Sequence, residues 1–157
     1  MDLKLEVIVL PVSDVDRAKS FYQAAGFRLD IDLVAGEDYR VVQFTPPGSE
    51  CSIILGKGVT SAAPGSFQGL YLIVFDIEEA RAELIGRGVE VGEVFHDAGG
   101  IFDHGHDAGE VTYGAGDEGR VSGPHPARAD YGSYATFRDP DGNGWVLQEV
   151  KKRGPGR

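Results

Sequence analysis

The sequence lacks the features that would cross-link the chain or hold it in a membrane. Only one cysteine, Cys51, occurs in 157 residues, so no disulfide can form within the chain. No apolar run approaches the ~20 residues that a membrane-spanning helix needs. The first residues also contain no apolar stretch typical of a signal peptide. We therefore expect a cytoplasmic protein without a membrane partner.

Positive charge is also scarce. The chain holds 15 Lys and Arg against 25 Asp and Glu, a net charge of −10. Four of the basic residues lie in a basic tail, residues 151–157, which leaves residues 1–150 with 15 − 4 = 11 basic side chains and a net charge of 11 − 25 = −14. A surface this acidic repels phosphate backbones, so we expect no nucleic-acid partner.

The first third of the sequence predicts a strand, a helix and three further strands. The β-branched run Leu5–Val12 predicts the first strand, and apolar residues at helical spacing over 15–25 predict the helix. Ser13 and Asp16 predict a capping box at the helix start, and Gly26 predicts its end. The remaining strands are predicted over 27–33, 39–44 and 51–55.

The same order of elements then repeats. At an offset of 62, the matched pairs are Leu10 and Leu72, Val12 and Val74, Asp14 and Asp76, Val15 and Ile77, Ala18 and Ala80, and Gly26 and Gly88. The match resumes at an offset of 94, which aligns Pro46 with Pro140, so the second module holds 94 − 62 = 32 extra residues. The sequence predicts one domain over 1–150, with module 1 over about 4–58, module 2 over about 67–150, and an inserted loop within about 95–131.

Two motifs frame the repeated modules. Leu-Pro-Val-Ser-Asp occupies 10–14, and Phe-Arg-Asp-Pro-Asp-Gly-Asn-Gly-Trp occupies 137–145. With tandem β-α-β-β-β modules, the chain resembles the vicinal oxygen chelate superfamily over about residues 4–150. That superfamily includes glyoxalase I, extradiol dioxygenases and bleomycin-binding proteins. The resemblance implies an α+β fold in which each module curls a mixed sheet into half of a cup that encloses a small-molecule site.

The resemblance also identifies where a metal would bind. In the metalloenzymes of this superfamily, His, Gln or Glu ligands occupy one position on the first strand and one on the last strand of each module. The motifs align these positions with Val7 and Val146, and the repeat offsets give Gly69 and Ser52 as their counterparts. Because none of these side chains is a usual ligand of a divalent metal, we expect no metal cofactor there.

The insert leaves two alternatives open. His104 and His106 can lie on one face of an extended segment and hold a divalent metal, or they can be exposed histidines of a glycine-rich loop. His96 and Asp97 follow a strand predicted over Val91–Phe95 and are candidates for a catalytic general base and its partner. They can equally be a polar pair that caps a turn.

Period-two alternation along the strands predicts the lining of the cup. The inward set is Val7, Val9, Ser52, Ile54, Gly69, Tyr71, Ile73, Val146 and Gln148. It is apolar with a few hydrogen-bonding groups, which is typical of a small-molecule pocket. We predict a bleomycin-resistance-like protein that binds a small apolar or aromatic molecule. The alternative is a divalent-metal-dependent lyase, isomerase or dioxygenase with ligands from the insert.

We also expect a homodimer. Two-module members of the superfamily often pair, and twofold pairing is the commonest arrangement of soluble oligomers. The strands predicted around Tyr39–Phe44 and Ser133–Arg138 are expected at sheet edges, which soluble proteins tend to cover.

Overall fold

The structure is a computed structural model that describes residues 1–97 and 119–155. The chain divides into two compact units, which are described separately. Unit 1 comprises Met1–Phe67, Arg87–Val89 and Asp139–Asn143, and unit 2 comprises Gln68–Gly86, Glu90–Arg138 and Gly144–Arg157. No helix in the described part of the chain is long and apolar enough to span a bilayer.

The described residues of unit 1 form one helix and a four-stranded sheet. The elements are β1 (Val7–Val9), α1 (Val15–Ala24), β2 (Arg28–Val34), β3 (Arg40–Thr45) and β4 (Ser52–Lys57). The strand order is β1-β4-β3-β2, with β1 parallel to β4 and the other pairs antiparallel. Helix α1 packs on one face of this sheet, where the Tyr22 ring lies 6.0 Å from that of Phe44.

Unit 2 has the same plan with one additional strand among its described residues. Its elements are β5 (Leu70–Val74), α2 (Ile77–Gly86), β6 (Phe95–Asp97), β7 (Arg120–Ser122), β8 (Ser133–Arg138) and β9 (Gly144–Glu149). The strand order is β5-β9-β8-β6-β7, and β5 is parallel to β9. The two helices and two mixed sheets confirm the predicted α+β fold.

The start of α1 differs from the sequence prediction. The N-cap residue is Asp14, whose carboxylate accepts the N–H of Arg17 at 3.0 Å. The predicted capping box of Ser13 and Asp16 is therefore wrong. The Ser13 side chain instead donates to Asp141 in the turn between β8 and β9, at 2.5 Å.

The strand pairing also corrects the repeat offset. Val7 lies opposite Ser52 in unit 1, and Tyr71 lies opposite Val146 in unit 2. The pairing therefore equates Val7 with Tyr71, an offset of 64, rather than with Gly69, which precedes β5. The helices keep the offset of 62, because α1 begins eight residues after Val7 whereas α2 begins six residues after Tyr71. Since both offsets are even, the predicted faces of the strands do not change.

Two further predictions about the sheets are wrong. The strands expected at the edges, β3 and β8, are internal, because β2 pairs outside β3 and β6 pairs outside β8. The predicted insert, 95–131, is also not entirely a loop: β6 and β7 pair within it, with Phe95 opposite Ser122. His104 and His106 lie outside the described residues.

Candidate functional site: the helix-free sheet faces

Among the residues that the structure describes, each unit has one sheet face that bears its helix and a second face that bears none, which we call the helix-free face. Cross-strand partners share a face, so the pairing identifies the members. In unit 1 they include Val7, Val9, Ser52, Ile54, Val41 and Gln43. In unit 2 they include Tyr71, Ile73, Val146, Gln148, Tyr134 and Thr136. The predicted inward residues of each module's strands therefore share one face within their own unit.

A chain of hydrogen bonds crosses the helix-free face of unit 1. The hydroxyl oxygens of Thr45 and Ser52 lie 2.8 Å apart, and Thr45 also donates to the carboxylate of Asp30. Asp30 accepts a second hydrogen bond from Arg28 Nε at 2.6 Å. These bonds, that from Thr45 foremost, hold the pKa of Asp30 below its ordinary value. The face therefore contains an ionised carboxylate connected to two buried hydroxyls.

Apolar side chains surround this polar chain. On β2, Ile31 is 45% exposed and Leu33 is 55% exposed, although both are branched aliphatic residues. Val7 and Ile54 are half-buried on the neighbouring strands. Exposed apolar side chains grouped on one face are typical of a surface that another molecule covers.

The helix-free face of unit 2 also combines exposed apolar groups with an amide. Tyr71 and Ile73 are 38% and 39% exposed on β5. Their partners on β9, Val146 and Gln148, are buried. A ligand on this face can therefore contact an aromatic ring and an aliphatic side chain beside a hydrogen-bonding group.

An aromatic cluster continues this face across β8 and β6. The rings of Phe95 and Tyr134 stack at 5.6 Å, and the guanidinium carbon of Arg120 lies 4.3 Å from the centre of the Phe95 ring. Tyr134 and Gln148 both donate to the carbonyl oxygen of Tyr131, at 2.5 and 3.2 Å. Burial raises the pKa of Tyr134 to about 12, so its hydroxyl remains a proton donor at neutral pH.

The structure separates the two residues considered as a catalytic pair. His96 lies opposite Ser133 on the helix-bearing face, where its Nδ1 is 2.8 Å from the carbonyl oxygen of Gly123. Asp97 is the next residue of the same strand, so its side chain points to the opposite, helix-free face. Because a carbonyl only accepts, His96 Nδ1 is the donor. This geometry gives His96 a structural hydrogen bond and does not direct it toward the candidate site.

The positions aligned with the family's metal ligands do not fit a metal. Val7, Gly69 and Val146 have no donor atom in their side chains, and Ser52 has a single hydroxyl. Tyr71, which the strand pairing puts in place of Gly69, has a phenol whose pKa is raised by burial, so it does not supply the anionic oxygen that a metal would favour. Within residues 1–97 and 119–155, no group of three or more His, Cys, Asp or Glu side chains could hold a metal ion.

Sequence reasoning missed several polar and aromatic members of these faces: Asp30, Thr45, Phe95 and Arg120. The alternation of side chains that predicts Ser52 on the helix-free face could have been continued onto β3. It would have placed Thr45, whose hydroxyl contacts that of Ser52, on the same face. No such signal exists for Asp30, since a β-bulge shifts the register between Leu29 and Ile31.

Comparison with known proteins agrees with this architecture. The model of the Glyoxalase/Bleomycin resistance protein/Dioxygenase superfamily matches residues 4–147. Among curated proteins, none matches the chain significantly.

Several solved structures are similar to this chain. TnmS3, an antibiotic binding protein from Streptomyces sp. CB03234, is 28% identical, with a TM-score of 0.65, over 95% of this chain and 97% of that chain. A glyoxalase/bleomycin resistance protein from Streptomyces sp. CB03234 is 29% identical, with a TM-score of 0.62, over 93% of this chain and 100% of that chain. A superfamily member from Sphaerobacter thermophilus DSM 20745 is 26% identical, with a TM-score of 0.61, over 94% and 98% of the two chains. Because the family model matches residues 4–147 and the two units share the β-α-β-β-β plan, the chain belongs to the glyoxalase/bleomycin resistance protein/dioxygenase superfamily.

Proposed function

We propose that the protein binds a small apolar or aromatic molecule against its helix-free sheet faces, without a divalent metal at Val7, Ser52, Gly69 and Val146. The observation that carries this proposal is the exposure of Tyr71 and Ile73, which are 38% and 39% exposed on a sheet face with buried hydrogen-bonding groups. The similarity to an antibiotic binding protein supports it.

Physical considerations favour an aromatic ligand. A planar ring can stack on Tyr71, and such ring pairs contribute about 0.5–1.5 kcal/mol beyond the area that they bury. Covering Ile73 adds hydrophobic stabilisation in proportion to the apolar area removed from water. The net charge of −10 favours a neutral or cationic ligand over an anionic one.

Titration with Nile red, a neutral apolar dye, tests the proposal. We expect the Ile73→Ser variant to bind the dye about tenfold more weakly, because it removes apolar contact area. The matched control is Ile85→Ser on α2, since Ile85 is 44% exposed but lies outside the sheet. Equal affinities of the parent protein and Ile73→Ser would contradict the site. Native mass spectrometry of the purified protein checks for a molecule that copurifies with it.

Elemental analysis of the same sample tests the metal-free state. We expect less than stoichiometric divalent metal after chelation and buffer exchange. One tightly held metal per chain, lost when His104 and His106 are both changed to Ala, would favour the alternative of a metal-dependent lyase, isomerase or dioxygenase.

We also propose a homodimer located in the cytoplasm. The edge strand β2 is seven residues long and ends in Val34, which is 64% exposed, so a long strand edge is available for pairing. The free Cys51 is compatible with a reducing compartment. Light scattering across a dilution series should give about twice 16.8 kDa, and a constant mass near 16.8 kDa would contradict the dimer.

A further inference from the structure

We propose that Ser52 selects ligands by accepting a hydrogen bond, so that the protein prefers apolar or aromatic molecules that carry an N–H or O–H group. The inference rests on the proposed function and specifies the ligand class. It follows from the direction of the protons along Asp30, Thr45 and Ser52.

The donor direction along these hydrogen bonds is fixed at the end where the carboxylate of Asp30 lies. An ionised carboxylate accepts hydrogen bonds and donates none. Asp30 is held in that state chiefly by the hydrogen bonds from Thr45 and Arg28, which lower its pKa. Thr45 has a single hydroxyl proton, and this proton is committed to Asp30.

The direction then determines the role of Ser52. Since the Thr45 proton points to Asp30, the 2.8 Å contact between the two hydroxyls requires Ser52 to donate and Thr45 to accept. Ser52 has no second proton to offer a ligand, but its lone pairs can still accept. In the described part of the chain, the only partner of the Ser52 hydroxyl is Thr45, to which it donates, and no donor reaches its lone pairs.

The surroundings make the acceptor discriminating. Ser52 is 5% exposed, with Val7 opposite it on β1 and Ile54 two residues along β4. In this environment, a ligand without a donor removes water from the lone pairs of the Ser52 oxygen and gives them no hydrogen bond in return, which costs binding free energy. A ligand oxygen that carries no hydrogen would face these lone pairs and be repelled.

The same proton direction argues against a nucleophilic serine. Activation of Ser52 would require a base that takes up a proton at neutral pH, whereas the hydrogen bonds to Asp30 stabilise its ionised form. Thr45 and Asp30 are therefore positioning residues, and Ser52 is the residue that contacts the ligand.

Matched compounds test the preference. Isothermal titration of the full chain would compare carbazole with 9-methylcarbazole and 2-naphthol with 2-methoxynaphthalene. In each pair, methylation removes the donor and keeps the aromatic body. We expect the donor compounds to bind about five- to tenfold more tightly, the effect of one hydrogen bond. Ser52→Ala should bind both members of a pair equally.

Thr45→Val distinguishes the proton direction from a general structural role. This variant keeps the shape of the side chain and releases the Ser52 proton, so Ser52 can donate to a methoxy oxygen. The preference between 2-naphthol and 2-methoxynaphthalene should shrink or reverse, whereas mere loosening of the sheet would weaken both compounds alike. Thr60→Val, in the exposed segment after β4, is the control and should keep the parent's preference.

The outcomes separate the inference from the proposed function. Equal binding within each pair by the parent protein would overturn the role of Ser52 and leave small-molecule binding intact. A preference retained by Ser52→Ala would also overturn it. Binding of none of the four compounds would contradict the proposed function, and the inference would fall with it.

Discussion

At the scale of single residues, the buried carboxylate of Glu149 organises the start of α2. Its side chain is 0% exposed and accepts from Arg128 Nε at 2.9 Å, from Arg128 Nη2 at 2.5 Å and from the Ile77 N–H at 3.0 Å. Burial alone would raise the pKa of Glu149, but the hydrogen bonds outweigh burial and the pKa is lowered. Glu149 is therefore an ionised group whose stability depends on its partners.

Removing the cation should cost more than removing the carboxylate. Arg128→Met leaves the buried carboxylate of Glu149 with only the Ile77 N–H and the more distant Lys151 ammonium, 3.7 Å away, so we expect a loss of about 3 kcal/mol in the free energy of unfolding. Glu149→Gln should cost about 2 kcal/mol, because Arg128 is partly exposed and its charge can be hydrated. Urea unfolding measures both values. The control is Lys57→Met, which removes an exposed ion pair and an exposed hydrogen bond to the Glu37 carbonyl and should cost less than about 1 kcal/mol. Equal losses for Arg128→Met and Glu149→Gln would contradict this account.

At the scale of elements, the turn over 139–143 is attached in unit 1 to α1, to the segment before α1 and to the segment after β4. The Tyr22 hydroxyl donates to Asp139 at 2.9 Å, and the Asn143 amide donates to the Pro11 carbonyl at 2.8 Å. Asn143 also accepts the N–H of Phe67 at 3.1 Å. Both Asp139 and Asn143 are buried. The Asp-Pro-Asp-Gly-Asn motif over 139–143 therefore has a structural role in this protein.

A glycine beside this turn tests the tightness of the attachment. A Cβ at Gly65 would lie 2.0 Å from the carbonyl oxygen of Asp141, and Gly65 has φ of +75°. Gly48 has nearly the same φ, +74°, but nothing lies within 4 Å of an added Cβ. Gly48→Ala should therefore cost about 1–2 kcal/mol from the backbone conformation alone. Gly65→Ala should cost at least about 2 kcal/mol more, since the Asp141 backbone must move. Thermal or urea unfolding that gave equal losses for the two variants would refute the close approach.

The sequence could predict elements whose determinants are local. Helix ends followed from Gly26 and Gly88, whose φ values of +92° and +87° are accessible to glycine at low cost. What failed depended on contacts between distant segments. Ser13 does not cap α1, because its hydroxyl donates to Asp141, which is distant in the sequence. The β-bulge that brings Asp30 to Thr45 likewise depends on how β2 pairs with β3. The alternation of side chains along the strands could therefore predict which residues share a sheet face. It could not predict the hydrogen bonds between them.

At the scale of the whole molecule, acidic groups dominate the charge and several of them are tied to cations or backbone donors. The pKa of Asp32 is lowered far below its ordinary value, mainly by hydrogen bonds from Arg40 and Lys19. The pKa values of Asp30 and Glu149 are lowered as well. A carboxyl group with a lowered pKa in the folded state binds fewer protons than in the unfolded state. Stability from these groups is therefore present above the unfolded pKa values, which are about 4, and is lost as pH falls through the folded values.

Acid unfolding should accordingly show two regimes. Between pH 7 and pH 5, protonation relieves the repulsion within a chain of net charge −10, so the free energy of unfolding should change little or rise slightly. Below about pH 4.5, the unfolded chain takes up protons that the folded carboxylates exclude, so stability should fall steeply.

Urea titrations at pH 7, 5.5, 4 and 3 measure this curve. Glu149→Gln should give a shallower fall below pH 4.5, since an amide does not titrate, whereas Asp38→Asn, at a side chain that is 100% exposed, should follow the parent. A parent curve that stays flat from pH 5 to pH 3, or a Glu149→Gln curve with the full slope, would show that these carboxylates do not set the acid limit of the fold.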